Sequence, residues 1–257
     1  MRVFREDRRT LPLSYRAMND ASVMHWFESS LGTALLELEQ RVLADALADV
    51  FGFELLQLGR WGAGADLCAA ARTQHRCVLA PDATGPGAIR AQFSALPIAT
   101  ASVEAVLLPH TLEYAAHPHG VLREVERVLT GEGHVLACGF NPFGPWGVRH
   151  LASRGRFPPP TQRLISEGRL RDWLVLLGFE VVDARRYLFV PPWRQRLSAR
   201  SRAWLESSGP RFAAPLAGAY LVKACKRVRA LTPIRPAWQR APAVVGGLAE
   251  PTSRNAA

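Results

Sequence analysis

The chain has 257 residues, of which 48% are apolar and 21% charged, with a formal net charge of +10. That is the make-up of a globular protein with a real core, as one α/β domain with additions or two small domains. No apolar run approaches the roughly 18–20 residues of a membrane span, and the opening MRVFREDRRTLPLSY has no signal-peptide core, so a cytoplasmic location is expected.

Charge is unevenly placed. Residues 1–145 carry 12 basic and 16 acidic side chains, and residues 146–257 carry 20 basic and 6 acidic. A basic second half suits an anionic substrate, nucleic acid or an acidic lipid surface. Arginine outnumbers lysine 30 to 2, a bias that base composition acting on a solvated surface also produces. The four cysteines lack metal-ligand or C-x-x-C spacing and read as buried thiols. His117 and His119 flank Pro118 with no further ligand nearby, so no metal site is expected.

Residues 1–24 read as a flexible N-terminus. From Trp26 to Val50, Leu31, Leu35, Leu38, Val42 and Ala46 recur at helical spacing, with Glu37, Glu39 and Arg41 as polar positions. A strand from Phe53 to Leu58 then runs into glycines at Gly59, Gly62 and Gly64, and an Ala-rich segment, Ala65 to Arg72, reads as a helix. Strand, glycine turn and helix together open a nucleotide site in doubly wound folds, where backbone N–H groups and the helix N-terminus face the ligand. Trp61 stands where such a turn needs a small residue.

Arg76–Ala80 is the second strand. Asp82, 23 residues past Gly59, stands where a ribose hydroxyl pair is held, or is a simple turn residue. Ile89–Phe93 reads as a short third strand and Val103–Leu108 as a buried fourth. An amphipathic helix follows from Pro118 to Leu129, ended by Gly131 and Gly133 before strand His134–Phe140. The PPP run at 158–160 is a break. Leu170–Leu177 belongs to a helix ended by Gly178, Phe179–Val190 and Ala219–Val228 are strand-like, and the tail from Thr232 has no periodicity and reads as disordered.

The ordered stretch Leu96-Pro97-Ile98, Val103–Leu108, Leu122–Leu129 (LREVERVL), Gly131-Glu132-Gly133 and His134–Phe140 resembles the second half of a class I S-adenosylmethionine-dependent methyltransferase, in the bacterial methyltransferase type 11 group. The resemblance covers roughly residues 25–236. It implies a doubly wound, mostly parallel α/β sheet of seven strands, the last antiparallel, and S-adenosylmethionine as cofactor. It places Gln57 at the family's acidic position, Gly59 at the first glycine, Trp61 at the middle one, and Gly62 or Gly64 at the last. Asp82 matches the ribose-binding acid and Gln92 the adenine-binding Asp, with Phe93 flanking the base. Leu108, Pro109 and His110 end strand four beside the methyl donor.

Methyl transfer is an in-line displacement that needs alignment more than a catalytic group. His110, oriented by Glu113, is the candidate base, with a structural or substrate-contact role as the alternative. Asn141, Trp146 and Arg149 could line a substrate pocket, and Trp146 could equally be packing. The leading expectation is a methyltransferase acting on a small molecule. A catalytically silent binding or regulatory module and a nucleic-acid methyltransferase are the alternatives.

Overall fold

Parallel pairing of short apolar strands organises the chain. The computed structural model describes residues 25–61, 67–81, 88–154, 157, 161, 163–192 and 198–228. The stretches 1–24 and 232–257, the 158–160 break, Gly62, Gly64 and Asp82 lie outside the described residues. The strands are β1 (Phe51–Leu58), β2 (Arg72–Ala80), β3 (Ala88–Arg90), β4 (Val103–Pro109), β5 (Leu129–Phe140), β6 (Phe179–Tyr187) and β7 (Ala219–Lys226). Between and before them lie α1 (Ser30–Leu47), α2 (Thr111–Tyr114), α3 (Pro118–Val128), α4 (Pro145–Ala152), α5 (Glu167–Leu176) and α6 (Ala199–Phe212).

The strands form one seven-stranded sheet in the order β3-β2-β1-β4-β5-β7-β6. β1 to β5 pair in parallel, and β7 runs antiparallel to both β5 and β6. The chain winds outward from β1 through β2 to β3, then restarts at β4 on the other side. The reversal between β1 and β4 puts a ligand crevice at their carboxyl ends.

Two expected elements differ. Leu67–Ala70 is a turn, and Arg72 already belongs to β2, paired with Phe51. Pairing with β1 takes Arg72 out of the expected helix. The link from Leu58 to Arg72 must also descend the height of β1, about 23 Å at roughly 3.3 Å per residue. Fourteen helical steps rise only about 21 Å, so the link is too short for a turn plus a helix of full sheet height. The second difference is β5, which begins at Leu129 rather than His134. Val103 pairs with Leu129 and Ala105 with His134, so the Gly131-Glu132-Gly133 run is a bulge within the strand rather than a helix stop.

Helix α1 is clamped to the sheet. Ser29 caps it by accepting the Gly32 N–H at 3.3 Å. Leu35, Leu36, Leu43, Ala46 and Leu47 are buried beneath it. Lys223, 2% exposed in β7, donates from Nζ to the Ala46 carbonyl at 3.0 Å and pairs with Asp49. That hydrogen bond holds the Asp49 carboxyl below its ordinary pKa.

Arg127 on α3 fixes the Leu-Pro loop. It donates to the carbonyls of Leu96 at 3.1 Å and Ile98 at 2.9 Å, and pairs with Glu124 at 2.9 Å. Glu124 in turn accepts the Leu96 N–H at 2.8 Å. Arg127→Ala should lower the unfolding free energy by about 1–3 kcal/mol, since it strands several polar groups at once. Denaturant melts check this; an unchanged midpoint would count against the clamp.

Candidate functional site

The carboxyl end of β1 meets that of β4 in a dense polar and aromatic layer. Gly59 takes φ 99°, a left-handed conformation that glycine adopts freely, and donates its N–H to the Leu79 carbonyl at 2.8 Å. The Gln57 side chain is turned inward. Its Nε2 donates to the Gly59 carbonyl at 2.8 Å, and its Oε1 accepts from Cys68 Sγ at 3.2 Å. The amide thus shapes the turn from below.

Trp61 is 1% exposed and sits between two rings, 5.2 Å from Phe27 and 4.9 Å from Tyr114. Its indole N–H is buried with no hydrogen-bond partner among the described residues. A buried donor without an acceptor costs about 1–3 kcal/mol. Phe27 and Tyr114 carry no signal in the sequence that marks them as site residues.

At the end of β4, His110 is fully buried in a left-handed conformation, φ 53°. Nε2 lies 2.6 Å from Glu39 Oε1 and Nδ1 lies 2.9 Å from Glu113 Oε2. Both nitrogens face carboxylates, an arrangement that suits an imidazolium donating from each. Burial alone would lower its pKa, but the charge of Glu39 and the hydrogen bonds to both carboxylates push it up to about 10. Burial in turn raises the Glu113 carboxyl, against the pull of His110. Glu113 Oε1 accepts the Phe140 N–H at 2.8 Å, and Tyr187 donates its hydroxyl to Glu39 Oε1 at 2.8 Å. The His110 ring stacks on Phe140 at 4.2 Å.

Glu39, one of the polar positions of the helix, is 1% exposed. The signal was its spacing: Leu35, Glu39 and Leu43 lie four apart on one buried face. Tyr187 carried no comparable signal.

The remaining candidates fall on either side. Leu108 and Pro109 are buried at the end of β4. Gln92 is exposed just after β3, and Phe93 is 2% exposed. Asn141 donates from Nδ2 to the carbonyls of Pro215 at 3.1 Å and Ala217 at 2.9 Å, and accepts the Phe143 N–H at 3.1 Å. Trp146 is buried, with Nε1 donating to the Val190 carbonyl at 3.0 Å. Arg149 donates to the Pro192 carbonyl and lies 3.8 Å over the Phe157 ring. In this structure these three residues tie together the segments that follow β5 and β6. Gln57, Gly59, Trp61, Leu108, Pro109 and His110 come together at the β1–β4 switch, with Trp146 joined through Phe140, 5.8 Å away.

The pKa of His110 sets a pH dependence. In the unfolded chain it returns to about 6.5, and in the folded chain it stands at about 10. Its stabilisation is complete below about pH 6.5 and is lost as pH rises through about 10. Urea melts should therefore show a fall in stability across that window that His110→Gln reduces. A wild-type-minus-variant difference that is flat or grows with pH would contradict an imidazolium here.

Comparison with known proteins gives this geometry a family. Residues 51–137 match the model of a methyltransferase domain, the type 11 group. The uncharacterized protein YafS of Escherichia coli K12 is 34% identical over 171 residues, spanning 66% of this chain and 70% of that protein. An S-adenosylmethionine-dependent methyltransferase from Archaeoglobus fulgidus superposes with a TM-score of 0.54 at 13% identity, over 74% of this chain and 94% of the other. The [4+2]-cyclase SpnF superposes with the same TM-score at 17% identity, over 78% of this chain and 84% of its own. At these identities the solved structures speak for the fold alone. Sheet order and family match agree: the chain belongs to the class I S-adenosylmethionine-dependent methyltransferases, in the methyltransferase type 11 group, whose cofactor is S-adenosylmethionine.

Proposed function

We propose that the chain binds S-adenosylmethionine at the carboxyl ends of β1 and β4 and transfers its methyl group to a small-molecule acceptor. The observation that carries this reading is the indole N–H of Trp61, a buried donor in the turn after β1 that has no partner among the described residues. A ligand oxygen would satisfy it, which is how the described residues fit the cofactor. Gly59 brings backbone close to the same place, and the exposed Gln92 amide is free to meet a base edge. Asp82 would take the ribose on the family pattern. When bound, the sulfonium supplies an electrophilic methyl group.

His110 is better read as an anchor than as a base. Both nitrogens are occupied, and its raised pKa keeps it protonated near neutrality. The acceptor that suits this site therefore presents an unprotonated nucleophilic atom, and the work of Trp61, Tyr114 and the β4 end is alignment and exclusion of water.

A second reading, a methyltransferase-fold module without methyl transfer, is favoured by the wedging of the Trp61 ring between Phe27 and Tyr114. Calorimetric titration with S-adenosylmethionine decides. The proposal expects saturable binding that Trp61→Phe, which lacks the N–H, weakens by about tenfold. Absence of binding at millimolar cofactor, or tighter binding on Trp61→Gly, would favour the silent module.

A further inference from the structure

Helix α4 exposes its apolar side. Trp146 and Gly147 face inward and are buried, while Val148 and Leu151, three residues apart, are 56% and 73% exposed. Phe143, just before the helix, is 76% exposed. Leu216 is 55% exposed on the 3-10 turn Ala214–Leu216, which lies against the same segment. A Cβ built on Gly144 would stand 2.3 Å from the Ala217 carbonyl oxygen and 3.4 Å from that of Leu216, and Asn141 ties the two backbones together. These four exposed side chains lie on two segments that meet beyond the carboxyl end of β5. Inward Arg149 is held by the Pro192 carbonyl, so the outward side of α4 keeps its apolar character.

The sequence that carries α4 has charge of one sign. Residues 133–166 contain no Asp or Glu and four arginines, at 149, 154, 156 and 163. Arg154 and Arg163 are exposed. An apolar helix face flanked by arginines is the pattern of a helix lying in the headgroup region of an anionic bilayer. A second copy of this chain would bring like charges together.

We propose that the face formed by Phe143, Val148, Leu151 and Leu216 docks on an anionic lipid surface, with the carboxyl edge of the sheet turned towards the membrane. This goes beyond the methyl-transfer reading and does not depend on it. No described helix is long and apolar enough to cross a membrane, so contact would be interfacial.

Sedimentation of the full chain with phosphatidylglycerol vesicles and with phosphatidylcholine vesicles, both without cofactor, tests this. The expected result is co-sedimentation with the anionic vesicles, weakened by salt and absent with neutral ones. Val148→Asp combined with Leu151→Asp should cut partitioning by about tenfold or more through lost apolar burial. Arg154→Glu should cut it by about fivefold or more. Circular dichroism melts establish that these surface variants fold. Absence of co-sedimentation, equal binding to neutral vesicles, or binding untouched by the paired Asp substitutions would overturn the proposal; the last is what net charge alone produces. So would self-association that those substitutions abolish without any vesicle binding. Cofactor titration fails or succeeds separately, so the two readings stand or fall apart.

Discussion

A protonated histidine held between two buried carboxylates is the constraint on which the upper half of this molecule rests. Glu39 comes from α1, His110 from the end of β4, and Glu113 from α2, while Tyr187 adds β6 and the Phe140 N–H adds β5. Removing one partner from such a cluster leaves an uncompensated buried charge, at a cost of about 3–5 kcal/mol. The left-handed conformation of His110 is a strain that these contacts sustain. With α1 anchored here and at Lys223, the helical turn before it brings Trp26 and Phe27 over the sheet edge. Trp26 lies 6.3 Å from Trp146 and Phe27 lies 5.2 Å from Trp61.

Beside that anchor lies the turn after β1. Gln57, which the family resemblance sets against a carboxylate, supports that turn from inside through its amide, and Trp61, set against a glycine, joins the aromatic layer. The link into β2 is short, and its described end is turn and strand. A likeness to both a methyltransferase and a [4+2]-cyclase shows how little the fold alone says of the reaction.

Much of the sheet was legible in the sequence. Val103–Leu108 is an apolar run of the kind a buried parallel strand shows and Ala219–Val228 reads as strand-like, and both appear with small changes at their ends. The helix over Pro118–Leu129 was plain in its amphipathic period. The Ala-rich segment after the turn misled because propensity is local, whereas pairing with β1 is not. Asn141, Trp146 and Arg149 were legible as a group following β5, but not their carbonyl partners at Pro215, Ala217, Val190 and Pro192, which lie more than forty residues away. His110 stood out because it ends a central strand. That its charge is neutralised within the core depended on Glu39, 71 residues earlier, and no spacing rule reaches so far.

The account turns on whether the unpaired indole N–H of Trp61 belongs to a ligand site. A crystal structure of the chain with S-adenosylhomocysteine, the demethylated product, tests this most directly. The predicted result is density across the carboxyl ends of β1 and β4, with Trp61 Nε1 within hydrogen-bond distance of a ligand oxygen. Trp61 unmoved between Phe27 and Tyr114, with no ligand density at the turn, would contradict it.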